Sequence, residues 1–357
     1  MKSTMTGAWR RLSFSDRVQK RINNVFNHGQ FINGPEVLQL EGLMKSRTNR
    51  LHAIATSSGT DALIMSIVAS TKSNAKIAVP AFTFIASASA VHLAGREIVF
   101  VDIDPDDLLV DVNDVYHIID DYEISALVAV DLFGRPADYF KLPDVTIISD
   151  AAQSMGSSYH GIPCGNLGVI STTSFYPTKA LGACGDAGMV FTDNAEFAKL
   201  IRMLQNHGQK DKYLHHCVGY NSRMDSLQAA ILIEKIEELS YEIDVRKRIY
   251  QHYLQNLKGV KVFTIPTNTT SNYSYFPVIF PDLDKRNKVY QSLSHLGAAI
   301  HYPMPLHLQP CFAHLQYSKG DFPVAESVCE RILCLPLNAY MTEEAITQTI
   351  YEVNKVA

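Results

Sequence analysis

One lysine in the sequence has the surroundings of an amine nucleophile. Lys179 follows the segment from Ser174 to Thr178 and precedes a glycine-rich turn that ends at Gly188. Glycines let the backbone approach a ligand closely. A lysine in a partly desolvated pocket has a lowered pKa, so its amine becomes a usable nucleophile. Taken alone, the same residues also fit a lysine in a surface loop.

A carboxylate follows an apolar run earlier in the chain. Ile147 and Ile148 lead to Asp150, with Gln153 shortly after it. The carboxyl end of a parallel strand is where α/β sheets bind ligands. Pyridoxal phosphate (PLP) needs a carboxylate there, because a carboxylate that faces the pyridine nitrogen keeps the ring protonated as an electron sink. The same aspartate equally fits a helix N-cap.

Three further motifs fit the binding of a flat, phosphorylated cofactor. The small-residue turn 56–61 opens a helix, and the free N–H groups of a helix N-terminus bind phosphate. Phe84 follows a strand and fits stacking on a ring, although such aromatics often belong to the core. Asn221 and Arg223 precede a helix and suit a phosphate or carboxylate, or else a capping turn with a solvated arginine.

Short apolar strands and helical patterns alternate between residues 52 and 192, which predicts a mainly parallel sheet covered by helices on both faces. The predicted strands are Ile77–Val79, Ile98–Val101, Ala126–Val130, Val145–Ile148 and Met189–Thr192, and the helices between them include Ala62–Ser70 and Ala86–Leu93.

A long helix is predicted from Met224 to Leu257, because apolar residues recur there at three- and four-residue steps. The chain then continues as a smaller α+β unit, for which we predict strands Val260–Phe263, Tyr275–Phe280 and Ala299–Tyr302 and helices Lys285–Leu296 and Glu343–Val353. We therefore expect a large α/β domain over residues 1–240, whose N-terminal segment packs on either unit, and a small domain over residues 241–357.

Composition excludes several classes of protein. The 357 residues carry a net charge of only -4 and contain no lysine- or arginine-rich block, so nucleic acid is not an expected partner. No stretch approaches the roughly 18–20 apolar residues that cross a bilayer, and Met1–Gln30 lacks an apolar signal core. The spacing of the six cysteines fits neither a disulfide framework nor a zinc site, and the adjacent His215, His216 and Cys217 lack a second ligand pair. We expect a cytoplasmic protein without a metal.

The order and spacing of these motifs resemble the sugar aminotransferases of the DegT/DnrJ/EryC1/StrS family, a branch of the fold-type I PLP enzymes. The resemblance covers nearly the whole chain, from His28-Gly29-Gln30 through the motifs above to His301-Tyr302-Pro303 and Leu335-Pro336-Leu337.

This resemblance implies roles for individual residues. Lys179 would be the Schiff-base lysine and proton carrier, Asp150 the partner of the pyridine nitrogen, and Gln153 a neighbour of the cofactor hydroxyl. The cofactor's ring and phosphate would be held by Ser58, Gly59, Thr60, Phe84, Ser174 and, from a second subunit, Asn221. The substrate would contact Gly29, Phe31, Thr178, Arg223, His301 and Tyr302. A tyrosine often stands at the place of Phe31 in this family, so one hydroxyl contact is missing. The family pattern thus predicts a homodimer with shared active sites.

The reaction implied by the resemblance moves the amino group of L-glutamate to a keto-sugar nucleotide. The first choice is C3 of UDP-2-acetamido-2-deoxy-3-oxo-glucuronate, for surface polysaccharide synthesis. A dTDP-3-oxo-6-deoxyhexose and a 4-keto sugar remain alternatives, as does a non-catalytic PLP-fold regulator. Relatives that dehydrate sugars replace the lysine by histidine, and this chain keeps Lys179. A nicotinamide dehydrogenase is disfavoured because Gly182, Gly185 and Gly188 fall late in the domain.

Overall fold

The computed structural model describes residues 16–356. The first half of the segment Met1–Gln30, for which no signal peptide was predicted, therefore lies outside the described residues. The strands in this part, in chain order, are β1 His52–Thr56, β2 Lys76–Pro80, β3 Glu97–Val101, β4 Ile124–Val130, β5 Thr146–Asp150, β6 Ser158–Tyr159, β7 Ile162–Pro163, β8 Ile170–Ser174, β9 Gly188–Thr192, β10 Gln209–Asp211, β11 Leu214–His215, β12 Lys261–Val262, β13 Thr269–Thr270, β14 Phe276–Ile279 and β15 Ile332–Leu335.

The α-helices of the same part, in chain order, are α1 Asp16–His28, α2 Pro35–Thr48, α3 Gly59–Ser70, α4 Ala86–Leu93, α5 Val112–Ile118, α6 Ala195–Leu204, α7 Ser226–Asn256, α8 Leu283–Leu293, α9 Pro323–Arg331 and α10 Glu343–Lys355. None of the helices between residues 16 and 356 is both long and apolar enough to cross a membrane.

A seven-stranded sheet forms the centre of the molecule, in the order β1-β9-β8-β5-β4-β2-β3. Strands β8, β5, β4, β2 and β3 run parallel to one another, and only β9 pairs antiparallel, with β1 and β8 on either side. The prediction of a mainly parallel sheet of an α/β protein is therefore confirmed. The carboxyl ends of β2, β4 and β5 lie at one edge, where Asp150 is the last residue of β5.

The sequence analysis did not find β8, because this central strand reads ISTTS. The side chains of Ser171, Thr172 and Thr173 are nevertheless fully buried, since their hydroxyl groups find acceptors on β5 or on the residue that follows it. The Ser171 hydroxyl lies 3.2 Å from that of Ser149, and the Thr173 hydroxyl donates to the backbone oxygen of Ala151 at 3.2 Å. Hydrogen-bonded hydroxyls can be buried at little cost, so an apolar pattern is not required there.

The long helix α7 contributes to two apolar cores. Residues 229–239 pack with α2 and β9, and residues 249–253 pack with β14, β15 and α10. These two packings support a domain division near residue 240, which we retain as a proposal. The core of the sheet also includes buried side chains from the C-terminal part, among them Leu306 and Phe312.

Part of the C-terminal prediction is wrong. The segment predicted as strand Ala299–Tyr302 pairs only at Ala299, through one isolated bridge to Cys334. Strand β15 and helix α9 were not predicted. The predicted helix Lys285–Leu296 is α8 followed by the 3₁₀ turn Ser294–Leu296. The Ala299 segment turns away from the sheet edge, and this places His301 and Tyr302 beside a cavity instead.

Candidate active site

A cavity of about 900 Å³ lies at the carboxyl edge of the parallel strands. Most of the residues predicted for cofactor and substrate line it, although they come from distant parts of the chain. They are Ser58, Gly59, Thr60, Phe84, Asp150, Gln153, Ser174, Thr178, Lys179, His301 and Tyr302.

Asp150 is held rigidly at the floor of this cavity. Its side chain is only 4% exposed, and it accepts hydrogen bonds from the Ser87 hydroxyl at 2.8 Å and from the Ala152 N–H at 3.1 Å. Burial raises the pKa of this carboxyl, while the two hydrogen bonds and the nearby Lys179 ammonium act in the opposite direction. The site therefore favours a cation next to Asp150. Ser87 was not predicted, because nothing in the helical pattern of α4 marks the face that meets Asp150.

Lys179 lies in a tight turn after β8. Its N–H donates to the Tyr176 carbonyl at 2.9 Å, and the turn closes with the bond from the Ala183 N–H to the Phe175 carbonyl at 2.6 Å. Gly182 is required, since a Cβ there would lie 2.6 Å from the Pro177 carbonyl oxygen. Burial lowers the pKa of Lys179, and Asp150 raises it. The amine is thus more readily deprotonated than an exposed lysine, as a nucleophile or base requires.

The start of α3 has the features that a phosphate-sized anion requires. Ser58 is the N-cap, and its hydroxyl accepts the Asp61 N–H at 3.0 Å. The N–H groups of Gly59 and Thr60 belong to the first turn, where a helix supplies no acceptor of its own. Ser174, at the end of β8, lies directly against Gly59.

Gln153, Tyr302 and Phe84 contact one another in turn on the wall of the cavity. Gln153 accepts the Phe133 N–H at 2.8 Å and donates to the Tyr302 hydroxyl at 3.0 Å. The ring of Tyr302 lies 6.0 Å from that of Phe84, which is half exposed on the cavity wall. Tyr302 is therefore fixed from both sides, and burial raises its pKa well above the usual value, so its hydroxyl stays protonated.

His301 lies beside Lys179 and is neutral at pH 7. Burial, together with the neighbouring Lys179, lowers its pKa to about 4. Mild acidification therefore does not turn His301 into a charged hydrogen-bond donor. A neutral imidazole can still donate or accept a single hydrogen bond at each nitrogen.

Four predicted site residues lie outside this cavity and form what we call the edge group: Gly29, Phe31, Asn221 and Arg223. The two segments are linked, since the Ser226 N–H donates to the Phe31 carbonyl at 2.8 Å. Arg223 donates to the side-chain oxygen of Asn206 at 2.7 Å and to that of Asn221. Its buried Nε finds no acceptor among the described residues. Among the described residues, the guanidinium therefore donates to neutral amide groups. These groups do not neutralise its positive charge.

The residues of the cavity fit PLP. A phosphate suits the start of α3, a pyridinium suits the buried carboxylate of Asp150, an aldehyde suits the amine of Lys179, and Phe84 offers an aromatic face. The chemistry of this donor set was the basis of the sequence prediction, and the fold brings the set into one cavity. In contrast, the structure from residue 16 to 356 contains no group of three metal-ligating side chains.

Comparison with known proteins identifies the family. The model of the DegT/DnrJ/EryC1/StrS aminotransferase family matches residues 13–354. The chain belongs to this family. It is therefore a PLP-dependent aminotransferase of the fold-type I class, as the sequence motifs predicted, and the cofactor of the family is PLP, with pyridoxamine phosphate as its aminated form.

Individual relatives resemble the aminotransferase over almost its full length. It is 36% identical to UDP-2-acetamido-2-deoxy-3-oxo-D-glucuronate aminotransferase of Pseudomonas aeruginosa, with 93% of each chain covered. It is 34% identical to a UDP-N-acetyl-3-dehydro-alpha-D-glucosamine 3-aminotransferase of Acidithiobacillus ferrooxidans, covering 93% and 92%. A crystal structure of a family member from Brucella abortus superposes with a TM-score of 0.91 at 34% identity, covering 99% and 98%.

Proposed function

We propose that this aminotransferase moves the amino group of L-glutamate to C3 of a UDP-linked 3-keto sugar. The first candidate is UDP-2-acetamido-2-deoxy-3-oxo-glucuronate, an intermediate for surface polysaccharide. The observation that carries the choice of a uronate is the environment of Arg223. This permanent cation lies at the margin of the site, and among residues 16–356 its hydrogen-bond acceptors are amide oxygens and not carboxylates. A planar guanidinium is suited to a carboxylate, which it can bind in a bidentate manner.

The cavity residues divide the work of binding and proton transfer. The cofactor, when bound, supplies an electron sink for the charge that develops at the reacting carbon. Asp150 would hold a proton at the ring nitrogen, and the α3 N-terminus with Ser174 would hold the phosphate. Lys179 would carry the proton to and from the reacting carbon, because its lowered pKa makes the neutral amine, which can act as a base, easier to form. Gln153 and Tyr302 would orient the ring hydroxyl.

The edge group is proposed to serve the active site of a second subunit. Gly29, Phe31, Asn221 and Arg223 are linked to one another and do not line the cavity of their own chain. The Ser57 N–H donates to the Ser222 carbonyl at 3.1 Å, so the segment is anchored to the same turn that opens α3. A group of residues held just outside the site of its own chain suits a twofold homodimer, in which equivalent surfaces meet and the sites are shared.

Both curated relatives described above are named for UDP-linked sugars, and this supports the proposal that the acceptor here carries UDP. The competing acceptor is a dTDP-linked 3-oxo-6-deoxyhexose, and the segments 306–310 and 320–323 resemble the family branch that aminates it. Leu306, His307 and Phe322 from these segments are buried in the core, and none of them lines the cavity. Their similarity to the dTDP-sugar branch therefore reflects packing and carries little information about the sugar. A 4-keto sugar has no specific support.

The test is a substrate panel with purified, PLP-loaded enzyme and L-glutamate. We expect the highest kcat/KM with the UDP-3-keto uronate, a lower value with the neutral UDP-3-keto sugar, and the lowest with dTDP-3-keto-6-deoxyhexose. A preference for the dTDP sugar would reject the proposed acceptor. A panel in which none of these keto sugars is aminated would reject a 3-keto sugar nucleotide as the acceptor.

A further inference from the structure

The cavity has a second, charged end that the reaction described above does not use. Lys235, Glu242 and Arg246 lie on one face of α7 and line the same cavity as Lys179 and Asp150. Leu335, Pro336 and Leu337 form an apolar wall at this end. The three charged side chains come from the region where α7 passes from the large-domain core to the C-terminal core.

Arg246 is the fixed element of this end. Its guanidinium donates from Nε to the Asn272 carbonyl at 3.0 Å and from Nη1 to Glu242 at 3.1 Å. Glu242 is itself held by the Tyr340 hydroxyl at 2.8 Å. Arg246 is only 6% exposed, yet its buried Nη2 has no acceptor among the described residues. An unsatisfied donor of a buried, permanent cation is costly, so a bound anion would relieve it.

The charge of this end suits a single carboxylate. Two cations and one carboxylate leave one positive charge, which matches a carboxylate better than a diphosphate. Lys235 remains largely protonated at pH 7, because burial lowers its pKa only to about 8. The sugar nucleotide already has a cation of its own in the proposed scheme, Arg223 of the edge group. The small molecule that must also enter the cavity is the amino donor, which on the proposed function is a dicarboxylic amino acid.

We propose that Lys235 and Arg246 form the subsite for one carboxylate of the amino donor. This inference deepens the proposed function and rests on its choice of L-glutamate. Glu242 acts as a positioning residue, since it accepts a hydrogen bond from the guanidinium, and the Tyr340 hydroxyl in turn holds Glu242. The apolar wall of residues 335–337 excludes water and strengthens the charge pairing.

The test measures binding of unreactive ligands to the PLP-loaded enzyme by calorimetry. Glutarate serves as a probe for the donor, and UDP-glucuronate as a probe for the sugar uronate. We expect Lys235→Gln to weaken glutarate binding about tenfold or more, the loss of one charge-assisted hydrogen bond, and to leave UDP-glucuronate unchanged. Lys235→Arg should restore most of the affinity. Lys247→Gln, which removes an exposed charge from the same helix, is the matched control.

Each outcome bears on the subsite. Unchanged glutarate binding in Lys235→Gln, or a loss confined to UDP-glucuronate, would overturn it. Arg246→Lys serves as a second variant, and it should also weaken the binding of glutarate while leaving the binding of UDP-glucuronate unchanged. The proposed donor is tested separately by conversion of wild-type enzyme with L-glutamate. If that conversion fails while glutarate binding still depends on Lys235, the donor is wrong and the subsite stands; the reverse pattern rejects the subsite alone.

Discussion

Gly59 and Ser174 are in direct contact across the cavity floor. A Cβ added to Gly59 would lie 2.6 Å from the Cβ of Ser174, well inside the normal contact distance. The first residue of α3 and the last residue of β8 therefore approach as closely as their backbones allow. This contact brings the helix N-terminus and the Ser174 hydroxyl to the same anion, and it makes glycine at position 59 a requirement of the site.

Gly59→Ala is expected to weaken cofactor retention. The added methyl must push α3 away from β8, and forcing a group into a packed site costs about 1–3 kcal/mol. Because this displacement separates the two groups proposed to hold the phosphate, we expect a loss of PLP affinity of roughly 5- to 160-fold. The measurement is the PLP absorbance that remains after gel filtration, together with reconstitution by added PLP. Gly42→Ala is the control, because its Cβ would meet nothing within 4 Å in the exposed face of α2. Equal retention in both variants would contradict the proposed phosphate cradle.

Lys179 is expected to be the only lysine that borohydride links to the cofactor. Its amine lies in the cavity beside Asp150, and its pKa is lowered by burial. Mass spectrometry of the reduced, digested protein should find the cofactor mass on the peptide that contains residue 179. Lys179→Ala should abolish both this adduct and transamination while the protein stays folded. An adduct on Lys235, which lines the same cavity, would show that the roles of the two lysines are misassigned.

Mixing two inactive variants is expected to restore activity if the edge group acts on a partner's site. Hybrids of Lys179→Ala and Asn221→Ala subunits contain one intact site each. A one-to-one random mixture should recover about a quarter of wild-type activity, because half of the dimers are hybrids with one active site of two. The readout is activity after mild unfolding and refolding of the mixture, with hybrids quantified by native mass spectrometry. Hybrids that form without activity would reject the shared site.

Arg223→Lys is expected to lose activity selectively with the uronate. Lysine keeps the charge but not the planar pair of donors. With the 3-keto uronate, kcat/KM should therefore fall by an amount that corresponds to about 1–3 kcal/mol of lost transition-state stabilisation. The neutral UDP-3-keto sugar should be affected far less. Arg223 also binds Asn206 and Asn221, so the substitution could disturb the whole edge group. In that case kcat/KM would fall equally with both substrates. That equal loss would remove the physical basis for a uronate.

Asp131 is expected to make stability fall as pH rises. It is fully buried, and burial raises its pKa from 3.8 to about 7 despite hydrogen bonds from Ser154, Tyr139 and Ala137. The folded state thus binds a proton that the unfolded state releases between these values. The stabilisation is complete below about pH 4 and is lost as pH rises through about 7, by up to about 4 kcal/mol.

The comparison of wild type with Asp131→Asn isolates this group, because other titrations largely cancel in the difference. The unfolding free energy of wild type relative to Asp131→Asn, from urea titrations at matched protein concentration, should decrease between pH 5 and pH 8. A difference that does not change with pH would show that Asp131 keeps the same charge in both states.

The sequence alone was sufficient for the chemistry and for the regular part of the fold. Lys179, Asp150 and the turn at Ser58 could be recognised because each role demands a particular residue type next to a strand or a helix start. Strands β2 to β5 and helix α7 could be predicted because their apolar periodicities are continuous. These signals are local, because they depend on residues that are close together in the sequence.

Only the tertiary structure decided which residues meet. The burial of the hydroxyl-rich β8 depends on acceptors from β5, which are far away in the chain, so no local pattern marks it as a central strand. His301 and Tyr302 reach the cavity because the predicted strand around them does not form. The neutral state of His301, the uncompensated guanidinium of Arg223 and the charged end at Arg246 likewise follow from burial and from partners contributed by other elements. Charge state and burial are properties of an environment, and the environment exists only once the chain has folded.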